Sequence, residues 1–235
     1  MSEAAPSGGV PASALDPTQR MRIAYVLTLV GGYLDAYTYF KRGGVFANAQ
    51  TGNIVKLGIA LSNGASDTYL SFLLPIAAFT LGLIVALGAK EMLMLKKRRL
   101  VRRSVLVAEM CGLAIVGFIP LSREWDMLAN CIVSFVAAMQ YETFTTFRGD
   151  AIVTTMSTGN LRKFVDCIFA GTMRHEPAQL LRAVRFLSII ATFAAGAFVG
   201  TRACDLWDKA AVVPAIVLLG MAVIVITVMR YRHKS

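Results

Sequence analysis

The stretch GGYLDAYTYFKRGGVFANAQTGNIVKLGIAL, Gly31 to Leu61, carries the decisive pattern of this chain. An apolar run to about residue 40 holds an aspartate, Asp35, and a shorter run from about residue 46 contains the tripeptide Thr51-Gly52-Asn53. Gly and Asn punctuate a helix, and an ionisable side chain inside an apolar run is costly wherever the surroundings exclude water. A broken apolar helix with a carboxyl in it is a membrane-protein pattern, and the composition around it agrees. The 235 residues are 56% hydrophobic and 16% charged, with mean hydropathy +0.61. An average soluble domain has roughly 45–50% apolar and about 25% charged residues. Disorder is excluded for most of the chain, and four cysteines with no C-x-x-C pair offer neither a disulfide framework nor a metal or redox motif.

The net charge of +10 invites a nucleic-acid reading, but the distribution of charge opposes it. Basic residues gather between apolar runs, in Lys96, Lys97, Arg98, Arg99, Arg102 and Arg103, and again in Arg230, Arg232 and Lys234. That is how cytoplasmic loops flank membrane spans, so membrane lipids and not nucleic acid are the expected partners. Residues 1–20, rich in Ala, Ser, Pro and Gly, read as a disordered cytoplasmic tail, and residues 21–235 as one polytopic membrane domain.

Six runs are long enough to cross about 30 Å of hydrocarbon at about 1.5 Å per residue. They lie at about 23–40, 69–94, 104–121, 127–147, 180–201 and 210–229. Two shorter runs, about 46–62 and 152–171, each contain Thr-Gly-Asn, at Thr51-Gly52-Asn53 and Thr158-Gly159-Asn160. If neither crosses, seventeen of the 24 Lys and Arg fall on one side, six on the other, and Lys90 within a span. The positive-inside rule therefore predicts six spans with both termini cytoplasmic and the short runs as re-entrant or broken elements.

The two tripeptides are 107 residues apart, and that offset also pairs Thr38 with Thr145, Phe40 with Phe147, Lys56 with Lys163 and Asp35 with Glu142. The chain thus reads as two repeats, about 21–121 and about 125–231, of three spans and one broken segment each. Three is odd, so the second repeat enters the membrane inverted, the plan of secondary transporters whose sites lie at broken helices. The expected fold class is all-α integral membrane, six transmembrane helices in two inverted three-helix repeats.

The Gly-x-Leu-Asp-Ala of Gly32–Ala36 followed by Thr-Gly-Asn, with the chain length and span number, resembles the YoaK-like family of bacterial multi-pass membrane proteins. The resemblance covers the chain beyond the tail. It implies an integral inner-membrane protein and brings no established activity with it.

Asp35 and Glu142 are the coupling candidates, since a buried carboxyl balanced against Lys56 or Lys163 could take up and release a proton. The structural alternative is that each caps a broken segment or pairs with a lysine. Thr51, Gly52, Asn53 and Lys56, with Thr158, Gly159, Asn160 and Lys163, are the solute-binding candidates. Each tripeptide offers a capping hydroxyl, a glycine free to take unusual backbone angles and an amide, at a helix start whose positive end attracts anions. The lysines are expected in the first turn, making an anionic or polar solute the expected cargo; the plainer reading is a tight turn. Gly82-x-x-x-Ala86 and Gly196-x-x-x-Gly200 read as close helix packing. Glu91, Glu109, Arg182 and Arg185 read as solvated or lipid-facing charge, and Trp125 and Trp207 as interfacial anchors in loops.

No G-x-S-x-G, H-E-x-x-H, Walker A or dinucleotide motif occurs, so no catalytic residue, metal or cofactor is expected. Two functions follow: a carrier for a small polar or anionic solute, proton-coupled or passive, or a non-transporting lipid-binding or assembly factor with structural broken helices. A homo-oligomer is compatible with either.

Overall fold

The computed structural model describes residues 20–64, 66–93 and 98–231. The expected tail, Lys96, Lys97 and the terminal Arg232 and Lys234 fall outside the described residues, apart from Arg20 at the tail's edge. The described chain is helical, with one isolated bridge between Phe147 and Asp150. Its helices are α1 (Met21–Lys41), α2 (Gln50–Ser62), α3 (Ser66–Leu93), α4 (Arg98–Phe118), α5 (Arg123–Thr143), α6 (Thr158–Met173), α7 (Pro177–Trp207) and α8 (Val213–Tyr231). A 3-10 turn, Asp208–Val212, joins the last two.

Every apolar run of the sequence became one helix, and the differences lie at the ends. α4 begins at Arg98, earlier than expected, because arginine is a strong helix former, so its charge ends the apolar run without ending the helix. α7 runs on to Trp207, so Cys204 is buried within a helix instead of sitting in a loop. Trp125 and Trp207 are exposed, as anchors would be, but belong to helix ends.

Two helix pairs form the centre, and glycines set their separation. A Cβ on Gly32 would lie 2.0 Å from the Phe193 carbonyl oxygen, and one on Gly196 would lie 2.1 Å from that of Leu29, so α1 and α7 touch backbone to backbone. On α3, a Cβ on Gly82 would lie 2.3 Å from the Phe135 oxygen of α5. Such contacts admit no side chain. α1 and α7 run in parallel, as Tyr25 meets Ser188 at 2.8 Å near one end and Lys41 meets Asp208 at 2.5 Å at the other. α3 and α5 are likewise parallel, since Gly82 faces Phe135 and Lys90 bonds Glu142.

The two pairs point oppositely. The last turn of α1 meets the first turns of α5, where the Asn130 amide donates to the Arg42 carbonyl at 2.6 Å. α4 ends beside that same point, and Arg42 caps it. Its guanidinium donates to the carbonyls of Val116, Ile119 and Pro120 at 3.1, 3.0 and 2.7 Å and approaches Asp126 at 3.4 Å. Carbonyls at the C-terminal end of a helix run short of intrahelical partners, and a cation there also meets the negative end of the helix dipole.

The bundle's outer surface is apolar. Leu81 and Ile84 on α3, Leu181, Val184 and Phe198 on α7, and Val217 and Ile224 on α8 are exposed. Soluble monomers rarely expose contiguous apolar area of this kind. The stretches Thr68–Met92 and Pro177–Val228 are long and apolar enough to cross a membrane, the second running through α7, the turn and α8. Length and composition thus suggest membrane association.

Candidate functional site

The two interrupted segments double back into the bundle. After α1 ends, residues 43–49 return alongside it until the Asn48 amide donates to the Gly31 carbonyl at 3.0 Å. Gly31 lies ten residues before Lys41, so the chain re-enters by ~15 Å, about half a hydrocarbon core. From that depth α2 climbs out again. The second return, residues 144–157, comes in from the end where α5 finishes, and it too reaches Gly31, whose Cβ would lie 2.8 Å from the Thr154 carbonyl oxygen. Gly31 is therefore where the two returns meet from opposite ends, and a side chain there would push them apart.

Each return is held by the asparagine of its tripeptide. The Asn53 side chain accepts from the Phe46 amide at 2.9 Å and donates to the Phe46 carbonyl at 2.7 Å and to Gln50 at 2.9 Å. Asn160 accepts from the Val153 amide at 3.1 Å and donates to the carbonyls of Val153 at 2.6 Å and Met156 at 3.1 Å. Both side chains are buried, so each amide takes the place of the ladder partner that the loop backbone lacks. The lysines continue the pattern: Lys56 donates to the Gly44 carbonyl, and Lys163 to that of Ala151.

Several expectations for these residues need correction. Thr51 and Thr158 make no capping hydrogen bond, because the chain places Ala49 and Ser157 at the cap positions. Gly52 and Gly159 are ordinary helical residues; positive φ falls on Gly43, Gly44 and Gly149 in the loops. Lys56 and Lys163 lie in the second turn, where their length lets them reach back along the loop, and each ammonium donates to one of the chain's own carbonyls.

A cavity of about 400 Å³ lies between the two helix starts. Thr51 borders it from one tripeptide and Thr158 from the other, with Asp35, Thr155, Ser157 and Thr201 as further polar walls and Tyr39, Phe40, Phe46 and Phe193 as aromatic ones. Neither Lys56 nor Lys163 lines it, and Asp35 is its single charged wall residue. Asp35 is 6% exposed and accepts from the Asn48 amide at 2.7 Å. The protein's own carboxylate therefore faces the chain leading into α2, where an anionic solute was expected. Depth matters as well: Asp35 stands six residues, ~9 Å, inside the Lys41 end of α1.

Glu142 does not share this place. Its carboxylate is bonded by Lys90 of α3, and the Lys90 ammonium also reaches the Glu142 carbonyl at 2.8 Å. Equivalent by offset, the two acids differ in partner: Asp35 is held by a neutral amide and Glu142 by an ammonium. No contact joins them among the described residues.

Three buried charges escaped the sequence. Asp150, 4% exposed, receives Arg182 at 2.6 Å and Arg185 at 3.0 Å, so these arginines are tied to the second return and not to solvent or lipid. Their spacing put both on one face, but nothing in the sequence joined them to an acid thirty residues earlier. Glu109 is 1% exposed; Gln140, with its amide nitrogen toward it, donates to both carboxylate oxygens at 3.2 and 2.8 Å. Here the signal existed, an acid within an apolar run, and was masked by starting that span at residue 104. Arg42, which no sequence pattern singled out, is the largest fully buried side chain among the described residues.

This architecture agrees with a match to a family described as protein of unknown function, which covers residues 23–225. The chain belongs to the DUF1275 family. The match extends from the first turn of α1 into α8, so both returns and the cavity between them lie within the family region. No curated protein and no solved structure matches the chain.

Proposed function

We propose that this DUF1275 protein is a multi-pass inner-membrane carrier for a small polar solute, with both termini cytoplasmic. In this reading α1, α3, α4, α5, α7 and α8 cross the bilayer, and α2 and α6 are half-way returns. The single observation that carries it is the cavity where two returns from opposite ends of the bundle meet, bounded by both tripeptides and holding Asp35. Broken helices converging on a buried site are what alternating access needs, because each return can seal one side.

Support for the six crossings comes from alternating helix directions and an apolar exterior. Support for two inverted halves comes from the offset of 107, which relates not only residues but bonds. It carries Asn53 and Phe46 onto Asn160 and Val153, and Lys56 and Gly44 onto Lys163 and Ala151. The same exchange turns the α1–α7 pair into the α5–α3 pair. Of the two coupling candidates, Asp35 faces the cavity and takes the role; Glu142 serves the α3–α5 contact. No catalytic step is proposed. Membrane lipids are the proposed surroundings, in keeping with the YoaK-like resemblance.

A second reading keeps the protein in the membrane as a non-transporting lipid-binding or assembly factor. It is favoured by one fact: both asparagine side chains are fully engaged in holding their own loops, and each lysine donates to a carbonyl of its own loop. Flux separates the two. Proteoliposomes should take up at least one solute of a panel, with uptake lost in Asp35→Asn at unchanged folding and yield. Absence of flux for every solute would decide for the second reading. Reporter tags on the 96–103 loop and the C-terminus must fall on one side of the membrane, and tags on opposite sides would refute the six crossings.

A further inference from the structure

The comparison of Asp35 with Glu142 carries one step more, and it rests on the cavity being a solute site. In the α3–α5 pair, Gly82 seats the helices and Lys90, eight residues on, delivers an ammonium to Glu142. In the α1–α7 pair Gly196 seats the helices in the same way, but the offset of 107 sets Ala197 in the place of Lys90, an uncharged residue that lines the Asp35 cavity. Among the described residues no ammonium or guanidinium pairs with Asp35, and no basic side chain lines its cavity. A buried acid of this kind is stabilised by an opposite charge, and the chain supplies one to three others, Lys90 to Glu142, Arg182 and Arg185 to Asp150, and Arg42 to Asp126, whereas Glu109 is held by the neutral Gln140 and, unlike Asp35, does not line this cavity. The aromatic walls suit the same charge. Tyr39 and Phe46 already carry the Lys56 ammonium at 4.4 and 4.7 Å from their ring centres, and Phe193 and Phe40 offer further rings toward the cavity.

We infer that the Asp35 cavity binds a small organic ammonium, whose charge pairs with the Asp35 carboxylate while its apolar part lies against the aromatic wall. The ligand stands to Asp35 as Lys90 stands to Glu142. At about 400 Å³ the cavity is within the size range of sites for small molecules. The ammonium can come from a free amine or from the headgroup of phosphatidylethanolamine.

The test uses the full-length protein in phosphatidylglycerol nanodiscs, titrated calorimetrically with n-butylammonium, n-butanol and butyrate, which share a chain and differ in charge. Butylammonium should bind and the other two should bind at least about tenfold more weakly, as expected when one partner of a desolvated charge pair is missing. Asp35→Asn, which keeps an acceptor for the Asn48 amide, should lose that preference. Thr201→Lys, which tethers an ammonium at the cavity wall, should block butylammonium with Asp35 intact, so that a folding defect in either variant leaves the other decisive. Equal or stronger binding of butyrate, no binding of butylammonium, or unchanged affinity in both variants would overturn the inference. Adding phosphatidylethanolamine to the nanodiscs assigns the source: competition identifies the headgroup, and no competition a free amine. Ammonium binding without flux would refute the carrier and leave this site standing. Flux of an anion independent of Asp35 would do the reverse.

Discussion

Replacing Asn53 by alanine should cost far more than its place in a short loop-to-helix junction suggests. The substitution removes three hydrogen bonds, at 2.9, 2.7 and 2.9 Å, and strips the Phe46 amide and carbonyl of the partner that replaces a ladder. At a net ~1 kcal/mol per hydrogen bond the loss is about 3 kcal/mol, and more if the Phe46 groups stay buried and unpaired. For a chain of this size that is a fall in Tm of about 6–12 °C, at roughly 2–4 °C per kcal/mol. Asn160→Ala removes the corresponding bonds to Val153 and Met156 and should cost a similar amount. Thr51→Val is the control, because Thr51 faces the cavity and caps nothing; its effect should stay within about 0.5 kcal/mol. The assay is thermal unfolding in a mild detergent followed by intrinsic fluorescence, with each variant checked for monodispersity. A shift under about 2 °C for Asn53→Ala, or one no larger than that of Thr51→Val, would show that the asparagine does not hold the return, since so small a shift is below ~1 kcal/mol.

Other outcomes follow from contacts elsewhere. Gly82→Ala and Gly196→Ala should fail to yield folded protein, because the new methyl would meet a backbone oxygen at 2.3 or 2.1 Å. Gly58→Ala on α2, with nothing within 4 Å, should leave Tm unchanged or raise it by up to about 1 kcal/mol of stability, and a loss there would contradict the open space seen. Asp150→Asn leaves Arg182 and Arg185 facing a neutral amide; with Arg182 41% exposed, solvent softens the loss to about 2 kcal/mol, read from chemical denaturation against Arg162→Ala as an exposed-pair control. The Lys41 ammonium beside Asp208 holds that carboxyl below the usual carboxylate range. A depressed folded value stabilises above the unfolded value and is lost as pH falls through the folded one, so this tie should weaken only in acid. A carbon-13 titration of Asp208 should move to higher pH in Lys41→Met, and an unmoved midpoint would mean that the pair does not persist.

The sequence by itself settled the elements. Apolar runs of twenty residues, Thr-Gly-Asn breaks and an offset of 107 are one-dimensional signals, so the helical elements of the described chain, their order and the two interrupted segments were legible before any coordinates, with errors at helix ends, such as Arg98 opening α4 and Cys204 lying inside α7. It also marked Asp35, because an acid in an apolar run stands out without a partner being known. Tertiary structure alone decided partners. Side chains of one type met opposite fates once the helices packed: Glu142 reached Lys90 across fifty-two residues, Asp150 drew in Arg182 and Arg185, and Arg42 left its loop to cap α4. The tripeptides show the same division, since their residues announced a helix start, but only packing turned the threonines to a cavity and the asparagines and lysines back upon their loops. Periodicity is local and survives in the order of residues. Charge pairing inside a low-dielectric bundle depends on which helices pack together, a distance that chain order does not encode.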